Sequence, residues 1–379
     1  MTILEEPSVD TVDPITRPRR VLWYWPFARP EEMSLATAFA ADGTELTVQV
    51  VDRDAAPTSI DGATTRLRRD LADIDRTATG VRWPTSRVAT YLRRSARRRS
   101  AIAEVAPDLV HVHYLNRFTD QFGRPDATWV VSVHDVEPHQ PRLGRLERAL
   151  TRRLHRRPDG LIVHHRWLAD RLVHDHGVDP DRIAVVPHQV FPVDAPAARP
   201  TTDRPRLLCF GALRPNKGLP WLIGVMQRPE LTGIELMIAG RGDATEEARI
   251  RDLVGDAANI TLELGYVTTE RKNELFRSCS AVVMPYESFA SQSGVLHDAY
   301  GHGRPVVVTD VGALGTTVRH DRTGEVVDHG DDDALVTAIE TVLGPAGDDD
   351  ARQAATIAVD QSPARIAEQL RLAYERFGA

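Results

Sequence analysis

Short apolar runs recur along the chain, separated by longer stretches with helical spacing. Val21-Leu-Trp-Tyr-Trp-Pro-Phe27 is the first, residues 30–41 carry apolar positions at helical intervals with acids in the first turn and Gly43 beyond, and Thr47–Asp52 is the next run. Further strand candidates lie at 108–115, 128–135, 160–165 and 182–188. These runs are continuous rather than alternating, the pattern of parallel strands covered by helices on both faces. Phe191 to Pro205 interrupts the series with four prolines, as a linker does. A second series follows, with strands expected at 206–213, 234–240, 260–265, 281–285, 305–309 and 325–328. The pattern predicts two doubly wound α/β domains, 19–192 and 206–360, joined by a linker at 193–205 and followed by a helical segment at 361–379. Residues 1–18, rich in Pro and acids, read as a disordered arm. The basic stretch between 52 and 108 reads as largely helical, and Gly344 to Asp350 as an acidic loop.

Length agrees with two domains: 379 residues exceed what one ordinary core organises. No apolar run reaches the ~18 residues of a membrane span, and the first twenty residues lack a signal-peptide core, so a cytoplasmic address is expected. Cys209 and Cys279 offer neither a disulfide framework nor metal-ligand spacing. The net charge of −7 hides an asymmetry: residues 1–200 hold 29 Arg against 27 Asp and Glu, while the remainder holds 18 basic and 27 acidic residues. Arg93, Arg94, Arg97, Arg98 and Arg99 form the densest basic cluster, with others at Arg66, Arg68, Arg69 and at Arg152, Arg153, Arg156, Arg157. Such a cluster is either a solvated helix face or a contact for an anionic membrane surface or lipid-linked substrate. Nucleic acid is not expected, because neither a zinc-finger nor an RNA-binding motif accompanies the arginines and aromatics are not interleaved with them.

Candidate chemistry gathers where strands end. In the first series almost every run closes on histidine: His113, His134, His164 and His165, His188. His111 and His113 share one strand face but have no Cys, Asp or Glu partner at ligand spacing, so no metal site is expected. In the second series, Phe210-Gly-Ala-Leu-Arg-Pro-Asn-Lys-Gly218 places Arg214 and Lys217 on one loop ahead of a helix. Lys217 and Lys272 are the chain's two lysines, so a compact point charge stands out at Lys217, as phosphate binding favours. Tyr286 to Asp310 reads as strand end, small-residue loop, helix and strand, with Ser293 and Gly294 leading into a helix whose first N–H groups lack intrahelical partners.

These segments together resemble a retaining glycosyltransferase of the GT-B type, in the large group 1 (family 4) class. Phe210 to Gly218, Met237-Ile-Ala-Gly-Arg-Gly-Asp243, Gly265-Tyr-Val267, Val283-Met-Pro-Tyr286, Gly303 to Gly312 and Thr323-Gly-Glu325 match its donor-domain motifs in order, over a likeness running from about Arg19 to Phe377. The resemblance implies two facing Rossmann-like domains, a last helix crossing back to the first domain, and a nucleotide-sugar donor, UDP- or GDP-linked, as co-substrate with no cofactor and no metal. It implies that Arg214 and Lys217 bind the donor diphosphate and that His134 reaches the donor sugar. Backbone groups of Ser293, Gly294, Val295 and Leu296 would hold phosphate and sugar, with Asp298 on the ribose and Tyr266 and Val267 beside the base; Gly211 and Gly240 line the same site. His113, Asp135 and His139 fall on the acceptor side, facing a glycan or lipid-linked acceptor of polysaccharide or glycoconjugate synthesis. The chain departs from the family's pair of glutamates: Asp298 stands at the second position and Ala290 at the first, and Thr316 replaces a later glutamate. A Ser-Gln-Ser-Gly-Val-Leu loop, residues 291–296, characterises a subgroup with this variation. The alternatives are a nucleotide-sugar epimerase or hydrolase of the same fold, and a silent nucleotide- or glycan-binding subunit.

Overall fold

Seven parallel strands build the first sheet in the computed structural model, which describes residues 19–25, 30–51, 59–72, 86–116, 119–134, 136, 145–190, 199–200, 204–288 and 293–378. They are β1 (Arg20–Trp25), β2 (Glu45–Val50), β3 (Thr64–Leu67), β4 (Leu109–Val112), β5 (Thr128–Val133), β6 (Gly160–Val163) and β7 (Ile183–Val185), in the order β3-β2-β1-β4-β5-β6-β7. Helices α1 (Pro30–Ala40), α2 (Ser86–Ala103), α3 (Arg145–His155) and α4 (Arg166–His176) connect them. The apolar runs form strands because both faces are covered: Trp23, Trp25 and Val130 enter one core, Leu22, Tyr24 and Val131 the other.

The second sheet has six parallel strands in the order β10-β9-β8-β11-β12-β13. In chain order its elements are β8 (Arg206–Phe210), α5 (Leu219–Met226), β9 (Glu235–Gly240), α6 (Ala244–Val254), β10 (Ile260–Leu264), α7 (Thr269–Ser278), β11 (Ala281–Met284), α8 (Gly294–Gly301), β12 (Val306–Thr309), α9 (Leu314–Asp321), β13 (Gly324–Val327), α10 (Asp332–Leu343) and α11 (Ala346–Asp360). Each sheet reverses strand order beside its first strand, which opens a crevice at the carboxyl edge.

The last helix, α12 (Pro363–Arg376), lies in the first domain's core. Ile366, Leu370 and Tyr374 are buried there, each contributing about 1.5–3 kcal/mol by leaving water. Tyr374 adds direction: its hydroxyl accepts from Trp23 Nε1 at 3.1 Å and lies 2.6 Å from His111 Nδ1, while His111 Nε2 lies 2.9 Å from Ser132 Oγ. His111 is thus a core histidine satisfied on both nitrogens.

Three sequence readings need correction. Arg66, expected on a helix, lies in edge strand β3 and pairs with Glu104 at 2.9 Å. The acidic stretch is not a loop: Asp348 and Asp349 form the first turn of α11, where the helix dipole favours negative charge. Arg98, grouped with the membrane-facing cluster, is buried, with Nη1 2.6 Å from Asp120 Oδ1 and its guanidinium 4.3 Å over the Tyr24 ring. Arg97 donates to Asp70 O and Arg99 to Phe122 O, so two further members bind backbone carbonyls.

Candidate active site

The second domain supplies a cationic corner. β8 ends at Phe210, and the chain turns through Gly211 to a single 3-10 turn, Pro215–Lys217, before α5. Glycine is required where this loop meets its neighbours. A Cβ on Gly218, at φ +66, would stand 1.8 Å from Pro285 O, and one on Gly240, at φ +145, would stand 1.9 Å from Gly211 O. The loop is then tied to the end of β11 by Glu287 N donating to Asn216 O at 3.0 Å and Asn216 Nδ2 donating to Ser288 O at 2.9 Å.

These ties place Lys217 Nζ 3.5 Å from the centroid of the Tyr286 ring, a cation–π contact. Burial lowers the Lys217 pKa to about 8, with the neighbouring Arg214 charge acting in the same direction. Arg214 itself is exposed at the start of the turn. Tyr286 is fixed from two sides: Thr309 Oγ1 donates to its carbonyl at 2.6 Å, and its hydroxyl lies 3.2 Å from Ser293 Oγ. Ser293 precedes α8, so the helix that opens with Gly294, Val295 and Leu296 stands one hydrogen bond from the lysine's aromatic platform. Val295 packs toward Gly211, where an added Cβ would meet its Cγ2 at 3.3 Å.

Further along α8, Asp298 forms a 2.8 Å ion pair with Lys272 of α7. The chain's second lysine thus pairs with a residue of α8, a partner that the sequence motif did not reveal. Tyr266, after β10, is 82% exposed, an aromatic face in water at the strand's carboxyl end, whereas Val267 packs partly into the core.

The first domain contributes imidazoles. Strands β4 to β7 are neighbours, so the histidines after them fall in a row. His113 is wedged edge-on against Trp23 and Trp25 at 5.2 and 5.4 Å and stacks on His111 at 4.1 Å; burial holds its pKa well below normal. His134 lies with Nε2 3.0 Å from His113 O and its ring stacked on Tyr114 at 4.3 Å. His164 follows at 4.9 Å from His134, and His188 stacks on His164 at 3.7 Å. His165 differs, accepting from Trp167 N as the cap of α4. His297 of α8 comes from the other domain, 5.2 Å from His188. Burial lowers the pKa of both His164 and His297 to about 4, so both rings are neutral near pH 7. Spacing in sequence offered no metal ligands, yet one nitrogen each of His134, His164 and His188 lie within 4.8 Å of one another.

A contact path thus runs from Lys217 through Tyr286, Ser293 and the first turns of α8 to His297, His188, His164 and His134. Ser293 and Gly294 stand on this path at the start of α8, Asp298 lies one turn further along the same helix, and Lys217 and His134 are its two ends. Asp135 and His139 lie outside the described residues, as do Ala290, Ser291 and Gln292.

Two parallel sheets joined through α12, with edges meeting at this path, are the GT-B arrangement. Sucrose-phosphate synthase from Thermosynechococcus elongatus shares it with a TM-score of 0.70 at 17% identity, over 94% of this chain and 98% of that one. So does HepE from Anabaena, solved in complex with UDP, with a TM-score of 0.64 at 14% identity over 93% and 98%. Residues 33–190 match the Glycosyltransferase Family 4 model and residues 204–344 the model for Glycosyl transferases group 1. The chain belongs to this glycosyltransferase family. Over 194 residues it is 33% identical to D-inositol 3-phosphate glycosyltransferase of Pseudarthrobacter chlorophenolicus, covering 46% of each chain; it spans about half the length of the curated relatives it matches.

Proposed function

We propose that this chain transfers a sugar from a nucleotide-sugar donor, UDP- or GDP-linked, to a glycan or lipid-linked acceptor with retention at the anomeric carbon. The observation that carries the reading is Lys217: a lysine held against Tyr286 with its pKa lowered by burial and by Arg214 gains its full charge when a diphosphate arrives. Arg214 and Lys217 neutralise the negative charge that grows on the diphosphate as the glycosidic C–O bond breaks, an effect worth several kcal/mol in a preorganised site. They do so in place of a divalent ion. The N–H groups opening α8 hold the phosphate, His134 reaches the donor sugar, and Asp298, braced by Lys272, meets the ribose. The acceptor oxygen bonds to the anomeric carbon on the face the diphosphate leaves, and its proton passes to a phosphate oxygen.

UDP in the HepE complex supports a uridine donor, and the inositol-phosphate relatives make a phosphorylated cyclitol an acceptor to test. Anionic-surface contact now rests on Arg93 and Arg94 beside the exposed Leu92, without Arg97, Arg98 and Arg99. No helix among the described residues is long and apolar enough to cross a membrane. Incubation with a donor panel, first alone and then with inositol phosphate or crude glycolipid, tests the reading. Nucleotide release that requires acceptor supports transfer. Free sugar or an epimer without acceptor points to hydrolysis or epimerisation, and thermal stabilisation without turnover to a binding subunit.

A further inference from the structure

The imidazole row does more than rim the donor site. His134, His164 and His188 follow three adjacent strands, and each presents a ring nitrogen within 4.8 Å of the others. We propose that these three histidines form a binding site for a late first-row divalent cation of the zinc type.

The donor set decides the class of ion. Three imidazole nitrogens with no carboxylate among them suit zinc, nickel or copper, whereas magnesium, calcium and manganese prefer oxygen ligands. Tetrahedral zinc with Zn–N bonds of about 2.0–2.1 Å holds its nitrogens about 3.3 Å apart. Because His164 and His188 stack at 3.7 Å with 24° between their planes, these two rings must splay apart for both in-plane lone pairs to meet one ion.

The second observation is the orientation of the rings. A backbone carbonyl only accepts, so His134 Nε2 carries the hydrogen directed at His113 O, 3.0 Å away, and His164 Nδ1 the hydrogen directed at Val186 O, 2.9 Å away. In each ring this leaves the lone pair on the opposite nitrogen, Nδ1 of His134 and Nε2 of His164. Metal-bound histidines are held in this way, the second nitrogen donating to a carbonyl or carboxylate that sets tautomer and ring angle.

A fourth group stands across the domain boundary. His297 of α8 has its ring centroid 5.2 Å from that of His188, and both its ring nitrogens are buried without a hydrogen bond among the described residues. A modest approach of α8 would bring it to the fourth ligand position. The ion is distinct from one serving the donor diphosphate, which Arg214 and Lys217 meet. With Nε2 on His113 O and Nδ1 on the ion, His134 has no nitrogen left for the donor sugar, so ion and sugar compete for this residue, and ion binding is measured without any transfer reaction.

The test is titration of the metal-free, tag-free full chain with Co2+, followed by visible absorption. The expected result is a d–d band of tetrahedral intensity saturating at one equivalent, abolished by Zn2+ and unmoved by Mg2+. His164→Gln and His188→Gln should each weaken Co2+ binding at least tenfold, with circular dichroism confirming the fold. Absence of the band in the wild-type chain overturns the proposal without recourse to a variant. Equal affinity in both variants also overturns it, by placing the ion on other histidines.

Discussion

Two stretches of this chain carry cations dense enough to suggest an anionic partner, and the fold uses them in opposite ways. On α2, Arg98 is sunk between Asp120 and the Tyr24 ring, and Arg97 and Arg99 donate to backbone carbonyls. In the loop before α5, Lys217 rests on an aromatic face and Arg214 is exposed beside it. The first cluster joins α2 to the segment around residue 120 through Arg98 and Arg99 and to Asp70 through Arg97, and it stabilises the fold. The second holds charge under desolvation, a state that an incoming anion relieves. Density of positive charge therefore says little about function; what each cation faces says a good deal.

The largest effect expected from this contrast is on stability. Arg98→Ala leaves the Asp120 carboxylate buried with its Oδ2 accepting from Asn116 N at 2.8 Å and its counter-charge gone. Breaking a buried pair in this way costs about 3–5 kcal/mol. Denaturant unfolding should show the loss in the transition of the first domain, with turnover per folded molecule unchanged. Lost turnover at unaltered stability would erase the distinction and return α2 to the site.

Lys217→Ala should do the reverse. Removal of one preorganised charge-stabilising group typically lowers kcat about 10²–10³-fold, and the unfolding midpoint should barely move because the residue lies on a loop. Steady-state kinetics with the accepted donor checks this, and near-normal kcat sinks the diphosphate assignment.

The pH profile sharpens the same point. With a pKa of about 8, Lys217 is increasingly neutral above that value, so kcat/KM for the donor should fall through a limb near pH 8. His164 and His297, at about 4, add no step between about pH 5 and 7. Lys217→Arg should remove the limb. Stability moves oppositely: between about 8 and the ordinary 10.5, the unfolded chain holds this proton and the folded chain does not, so the unfolding free energy rises with pH.

Much of this architecture was legible because buried parallel strands leave continuous apolar runs, and the runs at 206–213 and 281–285 became β8 and β11 within a few residues. The failures have physical causes. Strand β3, Thr64-Thr-Arg-Leu67, is an edge paired on one side, so burial imposed no apolar pattern. The acids of α11 read as a loop because composition does not distinguish a solvated turn from a helix N-terminus that favours them. Arg98 could not be separated from its neighbours, since its partner lies 22 residues away and meets it only in the folded domain. In the site, the histidine closing each strand was visible singly. Their convergence depends on the order β5-β6-β7, and the approach of His297 on the two domains meeting, neither of which spacing encodes. Lys272 was conspicuous as the second lysine, but its pairing with Asp298 requires α7 beside α8.

The smallest effect isolates the aromatic platform from its hydroxyl. Tyr286→Phe keeps the ring under Lys217 and removes the contact with the hydroxyl of Ser293, a residue 3% exposed. A hydroxyl buried without its partner costs about 1–3 kcal/mol, so the second domain's unfolding should shift by that much. The pH limb near 8 should stay in place, because burial and Arg214, the groups that lower the Lys217 pKa, are untouched. Donor KM should rise a few-fold as Ser293 and the start of α8 loosen, with kcat nearly constant. A displaced limb would mean that the hydroxyl tunes the lysine, and that the cationic corner and the first turn of α8 act as one unit.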